Sequence, residues 1–172
     1  MKQRRQDALI LPATVVLILF LDQVSKSLVT AWLGESQSRV IAPWLAPIFR
    51  ITYVTNTGGA FGLFPGLGDF FMVVAVIVIV TVMIYYRFLP DGQALTRIAL
   101  GLQLGGAIGN LVDRLRQGFV VDFIDFNYWP MRNWPVSNVA DISIVTGVSL
   151  LALLMVWEEY CERKGQQAAA DG

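Results

Sequence analysis

Histidine is absent from this chain of 172 residues, and cysteine occurs once, at Cys161. Catalysis by Ser–His or Cys–His pairs needs an imidazole base, so both mechanisms are excluded. A zinc site of the H-E-x-x-H type is excluded for the same reason. A single cysteine cannot form an intramolecular disulfide, and we interpret Cys161 as an incidental thiol. We expect neither a metal nor a cofactor.

Charged residues are also scarce, at 15% of the chain, whereas an ordinary soluble domain carries about 25%. Hydrophobic residues make up 55% of the chain, and the mean hydropathy is +0.57. The 13 basic and 13 acidic residues balance, so there is no basic excess of the kind that binds nucleic acid. These proportions predict a single membrane domain over residues 1–172.

Four apolar segments approach or exceed the roughly 20 residues that a spanning helix needs. They predict an all-α polytopic membrane protein with two outer loops, at 34–68 and 113–141, and a C-terminal tail at 161–172. The first segment lies where a signal peptide would, but no A-x-A-like site follows it, and Asp22 and Lys26 lie within it. We therefore interpret it as a retained span. The approximate spans are 8–30, 70–88, 94–112 and 142–157.

The distribution of Lys and Arg predicts which side of the membrane each loop faces. Basic residues precede the first span, flank the second connection and follow the fourth span, which favours cytoplasmic termini. Several arginines in the two outer loops weaken this bias, so the prediction depends on the N-terminal cluster. The residues on the cytoplasmic side are Lys2, Arg4, Arg5, Arg87, Arg97, Arg163 and Lys164.

Two local patterns add detail to this outline. The alternating stretch 49–55, followed by a glycine turn after Asn56, predicts a small β-rich extracytoplasmic element in the first outer loop. In the third span Gly101, Gly105 and Gly109 recur every four residues, which places small residues on one helix face. We interpret this face as a packing surface.

Two carboxylates are candidates for chemistry because of where they lie in this topology. Asp122 follows the third span and Asp141 begins the fourth, so both are expected at the same depth on the outer side. Two carboxylates that share a site cannot both ionise easily, which equips one as a general acid and the other as a base on water. The alternatives are structural: Asp141 as a helix N-cap, and Asp122 as a partner of Arg114 or Arg116.

Asp22 and Lys26 are also ionisable residues within a span, and their i, i+4 spacing favours a structural ion pair on one helix face. A further carboxylate, Asp69, ends a G-x-G-D sequence at 66–69 of the kind found in presenilin-like and prepilin-type peptidases. Here the motif precedes a span rather than lying within one, and we interpret Asp69 as favouring the start of the helix. A proton-relaying transporter subunit is a further alternative, but the carboxylates cluster at one interface and no repeat is visible.

Five motifs, taken in order, resemble those of the lipoprotein signal peptidase (signal peptidase II) family. They cover nearly the whole chain from the first span to the fourth. Gly59 and Ser137 depart from the family pattern, at positions outside the expected catalytic pair. The motifs are Asp22-Gln23-x-x-Lys26, the stretch from Asn56 to Phe61, the stretch from Gly105 to Arg114, Val120-Val121-Asp122-Phe123, and Asn138-Val139-Ala140-Asp141.

This resemblance implies an aspartic endopeptidase of the bacterial inner membrane, with its active site at the outer face. Its substrate would be a prolipoprotein carrying a diacylglyceryl cysteine, cleaved just before that cysteine, and membrane lipids and globomycin-type inhibitors are the other implied partners. Asp113 is expected to orient Arg114, and Asp125 falls outside the catalytic pattern. The implied roles are catalytic for Asp122 and Asp141, substrate-binding for Asn56, Gly58, Asn110, Arg114 and Asn138, and supporting for Asp22, Lys26 and Asp113.

Overall fold

A computed structural model describes residues 2–58, 68–128 and 134–170 of the chain. The departure from the family pattern at Gly59, and the first two residues of the G-x-G-D sequence, lie outside this range. The described elements are four long helices, three strands and a single turn of 3₁₀ helix at Pro43–Leu45. The helices are α1 (Lys2–Trp32), α2 (Gly68–Arg87), α3 (Ala94–Gln117) and α4 (Val139–Ala170), and the strands are β1 (Ser38–Arg39), β2 (Phe49–Asn56) and β3 (Val120–Phe126).

Each of the four helices is long and apolar enough to cross a membrane, in agreement with the four predicted spans. Helices α3 and α4 end later in the chain than the hydropathy pattern indicated. Helix α3 continues to Gln117 and ends at Gly118, whose φ of +81° suits glycine, so Asp113 and Arg114 lie in the helix rather than in a loop. Helix α4 continues to Ala170, so most of the predicted tail is helical.

Helix α3 lies at the centre of the bundle and packs against the other three helices. In its most apolar stretch 61% of residues are buried, compared with 6–17% in the other three helices. This explains why its sequence is the least apolar of the four, because a helix surrounded by protein can carry polar side chains that a lipid-facing helix cannot.

Glycines bring the neighbouring helices into close contact with α3, as their four-residue spacing predicted. A Cβ atom at Gly105 would lie 2.9 Å from Ile18 Cβ of α1, and one at Gly106 would lie 2.4 Å from the carbonyl oxygen of Ala140 in α4. Backbone cannot shift out of the way as the end of a flexible side chain can, so only glycine fits at Gly106. The first turn of α4 is therefore held directly against α3, which positions the residues at its start.

The three strands form an antiparallel sheet in the order β1-β2-β3. The prediction of a β element within the first outer loop was incomplete, because β3 comes from the segment between α3 and α4. Strand β3 is buried on both faces for most of its length, so its sequence lacks the alternation of apolar and polar residues that marks a half-exposed strand. In the register of the sheet, Val54 pairs with Asp122 and Asn56 pairs with Val120.

Candidate active site

Asp122 lies in the middle of β3, where the sheet sets its surroundings. Asn56 is its diagonal neighbour on β2, two residues beyond the position that pairs with Asp122. The Asn56 Nδ2 donates a hydrogen bond of 2.7 Å to Asp122 Oδ2, and the backbone N–H of Gly58 donates to Asn56 Oδ1 at 3.1 Å. Gly58 therefore fixes the direction of the Asn56 amide.

Asn138 connects Asp122 to the helix that carries Asp141. Its Nδ2 donates to Asp122 Oδ1 at 2.6 Å, and its Oδ1 accepts the backbone N–H of Asp141 at 2.8 Å. Asn138 is thus the N-cap of α4, and Asp141 occupies the third position of the helix. The alternative in which Asp141 is the N-cap is therefore wrong. The Asn138 side chain has no exposed surface, so both of its bonds are shielded from water.

Asn110 reaches the second carboxylate from α3. Its Nδ2 donates to Asp141 Oδ1 at 2.7 Å, and its Oδ1 accepts from Asn138 Nδ2 at 3.2 Å. Three asparagines from three separate elements therefore surround the two carboxylates. The alternative in which Asp122 pairs with Arg114 or Arg116 is wrong, because the hydrogen bonds that Asp122 accepts in the described part of the chain come from Asn56 and Asn138.

Lys26, Asp22 and Asp113 form a buried ionic cluster next to these asparagines. The Lys26 Nζ lies 2.8 Å from Asp22 Oδ2 and 2.8 Å from Asp113 Oδ2. The ion pair predicted between Asp22 and Lys26 is present, and Asp113 is its third member. Asp22 Oδ1 also accepts the backbone N–H of Ala140 at 3.0 Å, which places a negative charge at the N-terminus of α4.

Asp113 does not have the partner that the sequence suggested. It was expected to orient Arg114, but its oxygens accept hydrogen bonds from Gln23 Nε2 at 2.9 Å and from the backbone N–H of Val121 at 3.4 Å, in addition to the Lys26 pair. Arg114 instead stacks over the ring of Phe71, 5.7 Å from its centroid. Within the described residues, the buried Nε of Arg114 has no hydrogen-bond partner.

The other carboxylates considered from the sequence lie apart from this group. Asp125 accepts hydrogen bonds from Arg50 and Thr52 of the neighbouring strand, so its charge is neutralised within the sheet. Asp69 lies in the first turn of α2, where a negative charge favours the helix. Neither residue makes a hydrogen bond to the Asp122 and Asp141 group among the contacts of the described residues.

A cleft of about 460 Å³ opens beside Asp141, which forms part of its lining. Its walls are apolar side chains of α2 and α4, including Phe71, Val78 and Val145. Polar side chains of Asn56, Asn110, Arg114 and Asp141 also line the cleft. A mostly apolar cleft with a few convergent polar groups is typical of a ligand site.

Burial raises the pKa of Asp122 to about 7, and the negative charge of Asp141 adds to this increase. The hydrogen bonds from Asn56 and Asn138 and the charge of Lys26 act in the opposite direction. Asp122 therefore titrates near neutral pH, in the range where a general acid or base is most effective.

Comparison with known proteins identifies the family to which this arrangement belongs. A family model described as signal peptidase (SPase) II matches residues 14–157. The chain belongs to the signal peptidase II family. The resemblance found in the sequence motifs is therefore confirmed.

Similar proteins of this family cover most of the chain. A lipoprotein signal peptidase of Halothermothrix orenii is 42% identical over 145 residues, covering 84% of this chain and 93% of the relative. One from Moorella thermoacetica is 43% identical over 136 residues, covering 79% and 85%. A bacterial membrane enzyme solved by the in meso method has a TM-score of 0.78 and 27% identity, covering 87% of this chain and 88% of the other.

As a member of the signal peptidase II family with four apolar helices, this chain is a multi-pass bacterial membrane protein.

Two residues contribute to its site in ways that the sequence did not reveal. Gln23, which the sequence analysis named only as part of the first motif, bonds Asp113 and also lies with its Nε2 3.4 Å from the carbonyl oxygen of Gly109. Ser137, a departure from the family pattern, pairs with β3 through its backbone, because its carbonyl oxygen accepts the N–H groups of Phe123 and Ile124. This pairing does not depend on the side chain.

Proposed function

We propose that this chain is an aspartic endopeptidase that removes signal peptides from diacylglyceryl-modified prolipoproteins, cutting just before the lipidated cysteine. Membership of the signal peptidase II family implies cleavage of lipoprotein signal peptides. The observation that carries the aspartic mechanism is the scaffold of Asn138, which bonds the Asp122 side chain and the backbone of Asp141 at once. A shared scaffold keeps the two carboxylates in one fixed relation.

In the proposed mechanism Asp122 and Asp141 hold one proton between them. The ionised carboxylate takes a proton from water, the water oxygen bonds to the scissile carbonyl carbon, and the protonated carboxyl gives its proton to the carbonyl oxygen. The tetrahedral intermediate then loses the amine, which leaves with the proton taken from water, and the intermediate's hydroxyl returns a proton to the dyad. No covalent enzyme intermediate is formed, and neither a nucleophilic side chain nor an imidazole is needed.

The cleft accounts for the choice of substrate in this proposal. Its apolar walls, which include Phe71 and Val145, would accept the apolar segment of a signal peptide. Arg114 and Asn56 also line the cleft, where they can donate hydrogen bonds to the carbonyl groups of the extended substrate backbone. A substrate anchored by diacylglycerol reaches such a cleft by diffusing within the membrane, so the cleft does not need an entrance from the aqueous phase.

The proposed orientation places both termini in the cytoplasm and the dyad at the outer face of the inner membrane. Lys and Arg near the N-terminus favour this arrangement. Fusions of a compartment-sensitive reporter after Gly58 and after Asp91 are expected to report opposite compartments, with the first outside. The same compartment for both fusions would contradict a four-span topology.

Cleavage by the purified protein in detergent is the direct test of the function. We expect it to release the signal peptide from a prolipoprotein only when the cysteine carries diacylglycerol, with the unmodified prolipoprotein as the matched control. Cleavage is expected to continue in excess chelator, and a globomycin-type cyclic peptide is expected to compete with substrate. Mass spectrometry of both products locates the cut. Inhibition by chelator that added metal reverses would overturn the aspartic mechanism.

A further inference from the structure

The Lys26 ammonium group lies close to the proposed dyad, but its hydrogen bonds go to other residues. The Lys26 Nζ donates to Asp22 Oδ2 at 2.8 Å and to Asn110 Oδ1 at 3.1 Å, and it forms an ion pair with Asp113, 2.8 Å from Asp113 Oδ2. The Lys26 side chain is 4% exposed, so water does not compete for these bonds. A buried ammonium held between two carboxylates and an amide oxygen keeps these three groups in fixed positions.

The contact with Asn110 has a consequence because the two ends of an amide differ. Asn110 Oδ1 accepts from both Lys26 Nζ and Asn138 Nδ2, so two donors point at that one atom. Rotating the amide by half a turn would bring its NH₂ group against an ammonium and a second NH₂ group. The same rotation would turn the amide oxygen toward Asp141, which now accepts from Asn110 Nδ2 at 2.7 Å. The Lys26 charge therefore selects the orientation in which Asn110 donates to Asp141.

We propose that Lys26 is a positioning residue for peptide cleavage: it holds the Asn110 amide so that its N–H points at Asp141, and through this amide and its own charge it keeps the dyad in its singly protonated form at working pH. This inference rests on the proposed function of Asp122 and Asp141. It assigns Lys26 a part in the reaction beyond the structural ion pair that the Asp22–Lys26 spacing indicated.

Charged groups face this cluster from every element packed around it. They are Asp22 on α1, Asp113, Arg114 and Arg116 on α3, Asp122 on β3 and Asp141 on α4. The charge of Lys26 lowers the pKa of Asp122, in opposition to burial and to Asp141. When the positive charge of Lys26 is removed, the dyad loses each of its protons at a higher pH. The acid limb and the alkaline limb of the pH profile should then both move to higher pH.

The test is the Lys26→Met variant, which keeps the length of the side chain and removes the charge. We expect kcat to fall by about 10²-fold with little change in KM, because the lysine acts on the dyad and not on the substrate. We also expect both limbs of the pH profile to move up by about one unit, the size of shift that a nearby opposite charge produces. Arg50→Met is the matched control, since it removes a cation whose carboxylate partner, Asp125, lies outside the site.

A double-mutant cycle shows whether Lys26 acts through Asn110. If it does, Asn110→Ala in the Lys26→Met protein should lower kcat by no more than about threefold further, although we expect Asn110→Ala alone to be strongly impaired. Losses that multiply across the two sites would show independent roles and would overturn the proposal. An unmoved pH profile in Lys26→Met would do the same, because a lysine that only holds helices together changes the amount of folded enzyme and not its pH limbs.

Lys26→Met leaves two buried carboxylates without their cation, which threatens folding. Asp113→Asn removes one of these charges, so Asp113→Asn and Asp113→Asn/Lys26→Met form a second pair that differs only in the lysine. The upward shift of the pH limbs is expected between these two proteins as well, and its absence would overturn the inference. The outcomes remain distinct from a failure of the proposed function, which would appear as cleavage that survives the loss of Asp122 or Asp141.

Discussion

Asp122→Asn and Asp141→Asn are each expected to lose nearly all cleavage activity, by about 10³-fold or more. Asparagine has almost the shape of aspartate but can neither take a proton from water nor return one. General acid–base catalysis contributes about 10²- to 10⁴-fold, and members of one catalytic unit lose activity together. The double variant is therefore expected to be little worse than either single variant. The measurement is kcat/KM on a diacylglyceryl prolipoprotein in detergent.

Two further carboxylates provide matched controls for this result. Asp125→Asn changes a carboxylate that bonds Arg50 and Thr52 in the sheet, and Asp69→Asn changes one at the start of α2. Both variants are expected to keep most activity. All four proteins must insert in the membrane at normal levels before the rates are compared. A near wild-type rate in Asp122→Asn or Asp141→Asn would show the dyad assignment to be wrong, and loss of activity in Asp69→Asn alone would favour the G-x-G-D alternative.

Hydropathy was sufficient to predict the four helices, but not where two of them end. Spanning segments are long runs of apolar residues, and such runs can be recognised without knowing which helices pack against each other. The last turns of α3 contain Asp113, Arg114 and Arg116, which hydropathy treats as the start of a loop. They remain helical because Asp113 is bonded to Lys26 and Gln23 of the adjacent helix, and Gly118 provides the turn that ends α3.

The proximity of Asp122 and Asp141 could be predicted because it follows from connectivity. The chain leaves the helix bundle at the end of α3 and returns at the start of α4. The residues at the two ends of this connecting segment therefore lie at the same depth in the membrane. The close packing at Gly106 completes this, since it holds Ala140 directly against α3. The glycine spacing was visible in the sequence, but the partner of each glycine was not, because a stripe of small residues does not specify which helix it receives.

The hydrogen-bond network around the carboxylates was beyond prediction from spacing alone. Asn56 reaches Asp122 because of the register between β2 and β3, and β3 had no recognisable alternation from which to predict that register. The contact of Lys26 with Asp113 joins residues that are far apart in the chain, whereas its contact with Asp22 is a local i, i+4 pair. Family resemblance named Asn56, Asn110 and Asn138 as a set, but the direction of each amide depends on which donors and acceptors surround it.

Asn138 both caps a helix and contacts a carboxylate of the proposed dyad. Its Oδ1 caps α4 by accepting the Asp141 N–H, and its Nδ2 donates to Asp122. The two functions use different atoms of one amide, so substitutions can separate them. Serine is a good N-cap and retains an oxygen acceptor, whereas alanine has none. Neither side chain carries the Nδ2 donor.

Asn138→Ser and Asn138→Ala are both expected to lower kcat/KM by about 10- to 100-fold, because a buried hydrogen bond to a charged group contributes about 1.5–3 kcal/mol. Stability should separate the two variants: losing the N-cap costs about 1 kcal/mol, so Asn138→Ala should unfold at a lower temperature than Asn138→Ser. Tryptophan fluorescence during heating in detergent measures the unfolding temperature, and cleavage of the lipidated substrate measures kcat/KM. If Asn138→Ser cleaved at the wild-type rate, Asn138 would only cap α4, and the scaffold joining the two carboxylates would have no part in the reaction.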